Sequence, residues 1–477
     1  MHTPTIAQLS LDDIYRRLAP VTARPSSPTA SYTNWARTFG CKPQAIYEPE
    51  NEYQCELALE LALREGKVVR AAGVGHSPSD VACTTELMIR MTRLNRVLEV
   101  NTEKKWVVAQ GGIVLHDLHA QLAQHGLAMR NVGSISDQTL AGIITTASHG
   151  SGMEFGVFST NVLALTILLA NGARVTCSAS EHSGLFYASL SGLGGTGLLL
   201  EIKLEVEDAF RLKEVAESVP FDMALDDFDA IMTSTQHPRL WWFPASDTIR
   251  KSSSDRTHEP RTDSGNWFWD VLVGFHLVHL LLFIARYYRD LNLAVCRFVT
   301  WLGRPPLSRV DDSHKIFNID CLFLQYTTEW AIPYENSQAA LREMRTWLQR
   351  EIASADGLRP HFPIEIRVSA ADEIWMSPSY GHRTTWIGIV QYKPYGFEVP
   401  YEELFRGFED IVIRHGGRPH WAKAHNMRPD DLRALYPRFD DFVRVLDEVD
   451  PQGMFRNEYV QRHIYGQQGD TADKYKK

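Results

Sequence analysis

The sequence predicts an α+β protein of two packed domains, and three observations carry that expectation. The chain has 477 residues, 44% of them hydrophobic, which is more than one ordinary core absorbs. Up to about residue 208, short apolar strand signals alternate with helical ones. From about residue 314, strands surround one long amphipathic helix near 336–353 and give way to helices that run to Val449. No internal repeat interrupts this order.

Residues 1–30 read as a helix-forming leader that closes in a Pro/Ser-rich link, ARPSSPTAS. A first domain spans 31–208. In it, residues 67–72 form a short strand that ends in the loop GVGHSPSD. Residues 97–100 and 106–109 make a hairpin around Asn-Thr-Glu-Lys. Leu115, Leu118 and Leu122 sit at helical spacing within 113–125, and Gly126 stops that helix. Residues 163–170 and 174–177 pair across Asn171-Gly172, a strong turn dipeptide. The glycine-rich turn GLGGTG then leads into a last strand, LLLEIKLEVED. A second domain spans 209–465, with 209–262 mixed and polar and 266–303 strongly hydrophobic. The tail, 466–477, is expected to fray.

Net charge is −9 with no Lys/Arg block, which argues against nucleic acid as a partner. The six cysteines, at 41, 55, 83, 177, 296 and 321, show neither CxxC pairs nor zinc-type spacing. They read as free thiols in a reducing compartment. With no Asn-x-Ser/Thr acceptor and no apolar signal core in the first twenty residues, an intracellular location is expected.

Four segments carry chemistry. In the first loop, Gly73 and Gly75 let backbone N–H groups approach a phosphate; a plain tight turn is the alternative, since the loop is neither GxGxxG nor a P-loop. Residues 131–152 are dominated by small and hydroxyl side chains, which suits a chain lying along a polyhydroxylated cofactor. Close helix packing explains the same composition, and His149 alone is more often structural. In FPIEIRVS, a period of two puts Glu365 and Arg367 on one face of a strand. Together they can bind a lactone or polyol and hold a developing oxyanion, or form a bland solvated ion pair. Lys423, flanked by His420 and Trp421 in GGRPHWAK, can hydrogen-bond or deprotonate a substrate hydroxyl, or lie exposed on the surface.

Taken in order, GVGHSPSD, GSISDQTLAGIITTASHGSG and GLGGTGLLLEIKLEV resemble the FAD domain of the vanillyl-alcohol-oxidase-type flavoproteins. Within that group the likeness is to the aldonolactone oxidases acting on gulono-, galactono- and arabinonolactone. The pieces IEIR, HWAK and DPQGMFRNEY agree, and the resemblance covers 34–208 and 314–465. It implies an FAD domain of two α+β subdomains and an α+β cap domain with an antiparallel sheet. It implies that His76 is joined covalently to the flavin 8α-methyl. Around it, Gly73, Val74, Gly75, Ser77 and Ser79 would hold FAD. Gly133, Ser134, Asp137, Gly142, Thr146, Ser148 and His149 would contribute from the second segment, and Gly197 and Ile202 from the third. Glu365, Arg367 and Lys423 would be catalytic. The implied reaction oxidises the C2 hydroxyl of a sugar-1,4-lactone, reduces O2 to hydrogen peroxide and yields an ascorbate-type product. A dehydrogenase that uses a cytochrome or quinone, or a membrane-bound, non-catalytic FAD or sugar-binding protein, is the alternative. The glycine pair Gly111-Gly112 is read as leaving an oxygen path open beside the flavin, where dehydrogenase relatives carry a bulkier alanine.

Residues 271–285, VLVGFHLVHLLLFIA, are shorter than the roughly 20 residues a membrane span needs. Their Trp, Tyr and Arg flanks suit a helix lying on a membrane face; a buried core helix is the alternative. The resemblance adds a mitochondrial or endoplasmic reticulum membrane. His276 and His279 have metal-pair spacing but no third ligand in view, and no metal is expected.

Overall fold

A computed structural model of the chain describes residues 6–262, 265, 267–320 and 322–467. The segment DTADKYKK, Cys321 and the first five residues of the leader lie outside the described residues.

The N-terminal half is built on two sheets. The first is parallel, with Leu87–Arg90 between Ala45–Tyr47 and Val69–Ala72. Helix Glu52–Glu65 provides the crossover and buries Cys55, Leu57, Ala58, Leu59, Leu61 and Ala62. Asn51 caps its start, and Gly66, at φ 63°, ends it in the left-handed region. The leader is no free appendage. Helix Leu11–Leu18 is capped by Ser10 and buries Ile14 and Leu18 in the same apolar cluster as Leu57 and Leu61.

The second sheet is antiparallel, in the order Arg174–Ser178, Val162–Leu168, Leu198–Glu205, Trp106–Gln110, Val97–Asn101. Both hairpins expected here are present. Gly172 turns at φ 78°, a conformation that favours glycine.

The C-terminal half is an eight-stranded antiparallel sheet covered by helices. Its order is Leu307–Asp312, Arg211–Pro220, Thr248–Thr257, His237–Phe243, Ile364–Ser369, Thr384–Tyr392, Gln325–Pro333, Arg418–Pro419. Ile364, Ile366, Trp330, Ile387 and Ile389 bury one face in the main core, together with helices Ser337–Ala353 and Glu402–Arg414. The other face meets the N-terminal half.

Two expectations change here. The segment 209–262 looked merely polar, yet it supplies three strands. Its period is masked because the inward position Glu214 is charged. That carboxylate is buried and bound by Ser252 Oγ (2.6 Å) and Arg309 Nε (2.6 Å). The hydrophobic segment, in turn, is neither a plain core helix nor a uniform one. Trp267–Leu277 is a π-helix, followed by α-helices Val278–Ala285 and Leu291–Leu302. One stripe, Val278, Leu282, Val295 and Cys296, packs on Phe243 and Phe362. The rest stays outside: Trp267, Tyr287 and Tyr288 are about two-thirds exposed or more. His279 Nε2 accepts the Tyr395 N–H at 2.7 Å and the ring stacks on Tyr395, so a structural role accounts for it.

Candidate active site

Sheet periodicity builds the site. On four neighbouring strands, alternate residues face the N-terminal half: Trp241; Glu365 and Arg367; Gly388 and Val390; Gln325, Thr327 and Glu329. All eight line one cavity of about 320 Å³. The opposite wall comes from Trp35, His76, Gly133, Ser134, Ser148 and His149. The segment carrying the last two is pinned to the sheet. Gly152 N–H donates to Val368 O at 2.9 Å, Ser151 Oγ bonds Pro238 O, and His237 Nδ1 meets Ser151 O at 2.9 Å.

Lys423 reaches the cavity from a turn. Its N–H donates to His420 O at 2.8 Å, and Ala422 N–H donates to His420 Nδ1 at 3.1 Å. Fully buried Trp421 anchors the turn through Nε1–H to Met376 O at 2.6 Å. The Lys423 side chain keeps only 16% of its exposure, so it is not a surface lysine.

Glu329 is the hub, and the sequence reading missed it. Its carboxylate is buried, 2.7 Å from Arg367 Nη2, 3.3 Å from His149 Nε2 and 3.8 Å from Lys423 Nζ. Burial would raise this carboxyl, but Arg367, His149 and Lys423 outweigh it and hold it well below the usual range. Arg367 also meets Glu365 at 3.5 Å and donates to His149 O at 3.3 Å. Glu365 is shared with Arg239, another buried arginine the sequence reading left out, at 3.5 Å. The one available signal for Glu329 was a lone acid inside the apolar strand TTEWAI. Nothing local indicates that it meets an arginine 38 residues further on.

His149 lies flat on Trp386, with ring centroids 3.7 Å apart. Burial and then Arg367 lower its pKa, and burial lowers that of His420 strongly. His149, Glu329 and His420 each offer one ligand atom within 4.8 Å of the others. Arg367 already occupies the Glu329 carboxylate, and a guanidinium there repels a cation, so ion pairing accounts for the cluster.

The flavin-side residues divide into two groups. His76, Gly133, Ser134, Ser148 and His149 line the cavity. Gly73, Val74, Gly75 and Ser77 belong to the His76 loop but do not line it, and Asp137 is exposed within electrostatic reach of His76. Gly75, at φ 84°, packs on the Tyr32 ring. Gly73, Gly142 and Thr146 make close contacts around helix Leu140–Thr145: a Cβ on either glycine would strike Thr139, and Thr146 Oγ1 bonds Gly142 O. Ser79 and Ile202 are fully buried. Ile202 pairs on both sides within its sheet, and Gly197 turns at φ 144° against Leu168 O; neither residue opens onto the cavity. Gly111 and Gly112 are explained by packing too, since a Cβ would strike Leu199 O or Met91 O.

The residues present fit a bulky polar cofactor. Burial pulls His76 down to about 4 and leaves its ring neutral, stacked on Trp35 at 5.0 Å. His76 Nδ1, Tyr32 Oη and Ser134 Oγ are buried without a hydrogen-bond partner, the condition expected where a bound group completes the bonding. Arg70, likewise buried with two nitrogens unbonded beside Gly194, adds positive charge that the sequence reading overlooked.

Comparison with known proteins agrees. Residues 43–178 match the FAD binding domain family and residues 202–463 the D-arabinono-1,4-lactone oxidase family. L-gulonolactone oxidase of Bos taurus is 38% identical over 437 residues, 91% of this chain and 98% of its own. L-gulonolactone oxidase of Scyliorhinus torazame is 37% identical over 435 residues, with the same two coverages. Among solved structures, cholesterol oxidase from B. sterolicum superposes with a TM-score of 0.76 over 93% of this chain and 99% of its own. At 16% identity this likeness concerns the fold alone.

Proposed function

Because the chain belongs to the D-arabinono-1,4-lactone oxidase family and is an FAD-dependent oxidoreductase, we propose that it oxidises the C2 hydroxyl of a sugar-1,4-lactone, with O2 as acceptor and hydrogen peroxide as by-product. The carrying observation is the convergence of Glu365, Arg367 and Lys423 with His76 and His149 on one cavity between the two halves. D-arabinono-, L-gulono- and L-galactono-1,4-lactone are the candidate substrates, and an ascorbate or erythroascorbate type compound is the product.

Bound FAD supplies a two-electron acceptor that takes hydride from carbon and reoxidises with O2. The chain supplies everything else. Arg367, held by Glu329, donates to the lactone oxygens and stabilises negative charge as the hydroxyl gives up its proton. Glu365, poised between Arg367 and Arg239, accepts from substrate hydroxyls. Lys423 hydrogen-bonds the reacting hydroxyl and orients it for loss of its proton. The apolar walls Trp241 and Val390 exclude water. His76, neutral and stacked on Trp35, has the nucleophilic nitrogen that a covalent flavin link requires. Gly133, Ser134 and Ser148 offer backbone and hydroxyl groups to the cofactor.

Purified protein tested against a lactone panel should consume O2 and release peroxide. Flavin reduction without O2 uptake would point to a dehydrogenase. Lys423→Ala and Arg367→Ala should slow flavin reduction about a hundredfold, as loss of one charge-assisted transition-state contact does. Reoxidation of pre-reduced flavin should stay close to parent. Parent-like reduction rates in both variants would remove these residues from the mechanism. Acid-precipitated protein should stay yellow, and His76→Ala should release its flavin.

We further propose peripheral association with an intracellular membrane, mitochondrial or endoplasmic reticulum, through residues 267–302. Exposed Trp267, Leu272, Leu280 and Trp301 support this reading, as does Arg286 over the Phe397 ring at 4.7 Å. Trp267–Ala285 is long and apolar enough to cross a membrane, but its Val278–Leu282 stripe is already packed on the cap sheet. Leu272→Glu with Leu280→Glu should abolish co-sedimentation with phospholipid vesicles and leave flavin content intact.

A further inference from the structure

The segment around His76 is gripped from two sides. Strands Tyr32–Thr33 and Gly40–Cys41 close a hairpin that carries Trp35. Trp35 stacks on His76, and its N–H donates to Gly75 O at 2.8 Å. Asn34 Nδ2 donates to Ser77 O at 3.0 Å. The hairpin therefore holds the first part of the His76 loop. The loop's far end passes Asp80 and Cys83, whose carbonyl accepts Asn457 Nδ2 at 2.8 Å.

Cys41, at the end of the hairpin, meets that far end. Its sulfur accepts the Thr84 N–H at 3.4 Å, which brings it beside Cys83, the residue before Thr84. Both cysteines are half-buried and pack on the small cluster of Tyr32, Ile46, Ala72 and Met88. Cys55, Cys177 and Cys296 are buried singly in the core, and burial raises their thiols. Cys41 is different. The Cys83 hydrogen bond, opposed by burial and aided by Thr84, pulls it down to about 7, while Cys83 as donor is pushed up. A thiol lowered in this way, next to a second thiol in one small cluster, is the arrangement of an attacking and a resolving cysteine.

We propose that Cys41 and Cys83 are a reversible, peroxide-oxidised thiol pair whose disulfide clips the Trp35 hairpin to the far end of the His76 loop. The Cys41 thiolate attacks one oxygen of hydrogen peroxide, breaks the O–O bond and becomes a sulfenic acid; the departing hydroxide takes up a proton to form water. The Cys83 sulfur then attacks the Cys41 sulfur. The S–O bond breaks, the S–S bond forms, and the second hydroxide leaves as water with the Cys83 proton. Two thiols and one peroxide thus give one disulfide and two waters. A dithiol reductant reverses the change. In a reducing compartment the pair stays reduced until peroxide accumulates. A lactone oxidase reaction would make that peroxide at the neighbouring site, but the inference does not depend on it.

The test therefore uses substrate-free purified protein and added hydrogen peroxide, with N-ethylmaleimide capping of remaining thiols and peptide mapping. The expected product is a Cys41 peptide joined to a Cys83 peptide, two hydrogens lighter than the sum and restored by dithiothreitol. Cys83→Ser should stop at a Cys41 sulfenic acid that dimedone traps, and Cys41→Ser should leave the Cys83 thiol open to capping. Oxidised parent should melt a few degrees higher than reduced parent, with no such shift in either variant. The proposal is overturned if both thiols of peroxide-treated parent protein are capped. It is overturned equally if Cys41 proceeds to sulfinic acid while Cys83 stays reduced, or if Cys83 oxidises unaided in Cys41→Ser. Parent mapping alone decides the matter should a variant fail to fold.

Discussion

Glu329 offers the sharpest perturbation. Its carboxylate lies 2.7 Å from Arg367 Nη2 with both side chains 7% exposed. At that distance and an effective dielectric of about 20, the Coulomb attraction is roughly 6 kcal/mol. Desolvation takes back a large share, and removing one partner of such a pair typically costs about 3–5 kcal/mol. Because Glu365 stays 3.5 Å from Arg367, the lower end, about 3 kcal/mol, is the better expectation for Glu329→Ala. Glu329→Gln keeps the shape and one acceptor, so it should fold nearly as well. It leaves Arg367 undercompensated and mobile, and the guanidinium no longer meets the substrate squarely. Turnover should fall about a hundredfold, matching roughly 3 kcal/mol of lost transition-state stabilisation, with a rise in KM from the ground-state contact of the same arginine. Denaturant unfolding of both variants and steady-state kinetics of the Gln variant measure these effects. Parent-like stability of Glu329→Ala together with parent-like turnover of Glu329→Gln would refute the hub reasoning.

Two further outcomes follow from buried groups. Burial lowers His361 to about 3 and His237 to about 4, so the unfolded chain takes up protons first as pH falls. The stability these neutral histidines contribute is complete above pH 6.5 and lost between 6.5 and those values. Unfolding free energy should therefore decline by roughly 1.4 kcal/mol per pH unit for each such group. His361→Gln, which can still accept the Tyr392 N–H now held by His361 Nδ1 at 2.8 Å, should flatten that slope; an unchanged slope across pH 6 to 4.5 contradicts the assignment. Gly112→Ala should destabilise the fold by about 3 kcal/mol or prevent folding, because the added methyl overlaps Met91 O. A well-folded Gly112→Ala protein with slowed flavin reoxidation would instead support the oxygen-path reading.

Much of this protein is determined by local sequence. The hairpin at Asn171-Gly172, the helix that stops at Gly126 and the strand parity that puts Glu365 beside Arg367 need only turn chemistry and a period of two or 3.6. Tertiary structure alone decided the rest, because burial and partner choice depend on the strand order. That order places Gln325–Pro333 beyond Thr384–Tyr392, so Glu329 crosses to Arg367 and Lys423. It also sets half-buried Arg309 against buried Glu214, the inward charge that hid the strands of residues 209–262. The hydrophobic segment divided along its own axis. Its composition made it apolar, and only packing on Phe243 and Phe362 chose which stripe became core and which faced outward. A charge in a sequence carries no mark of whether it meets water or an opposite charge; the dielectric around it is set by residues far away along the chain.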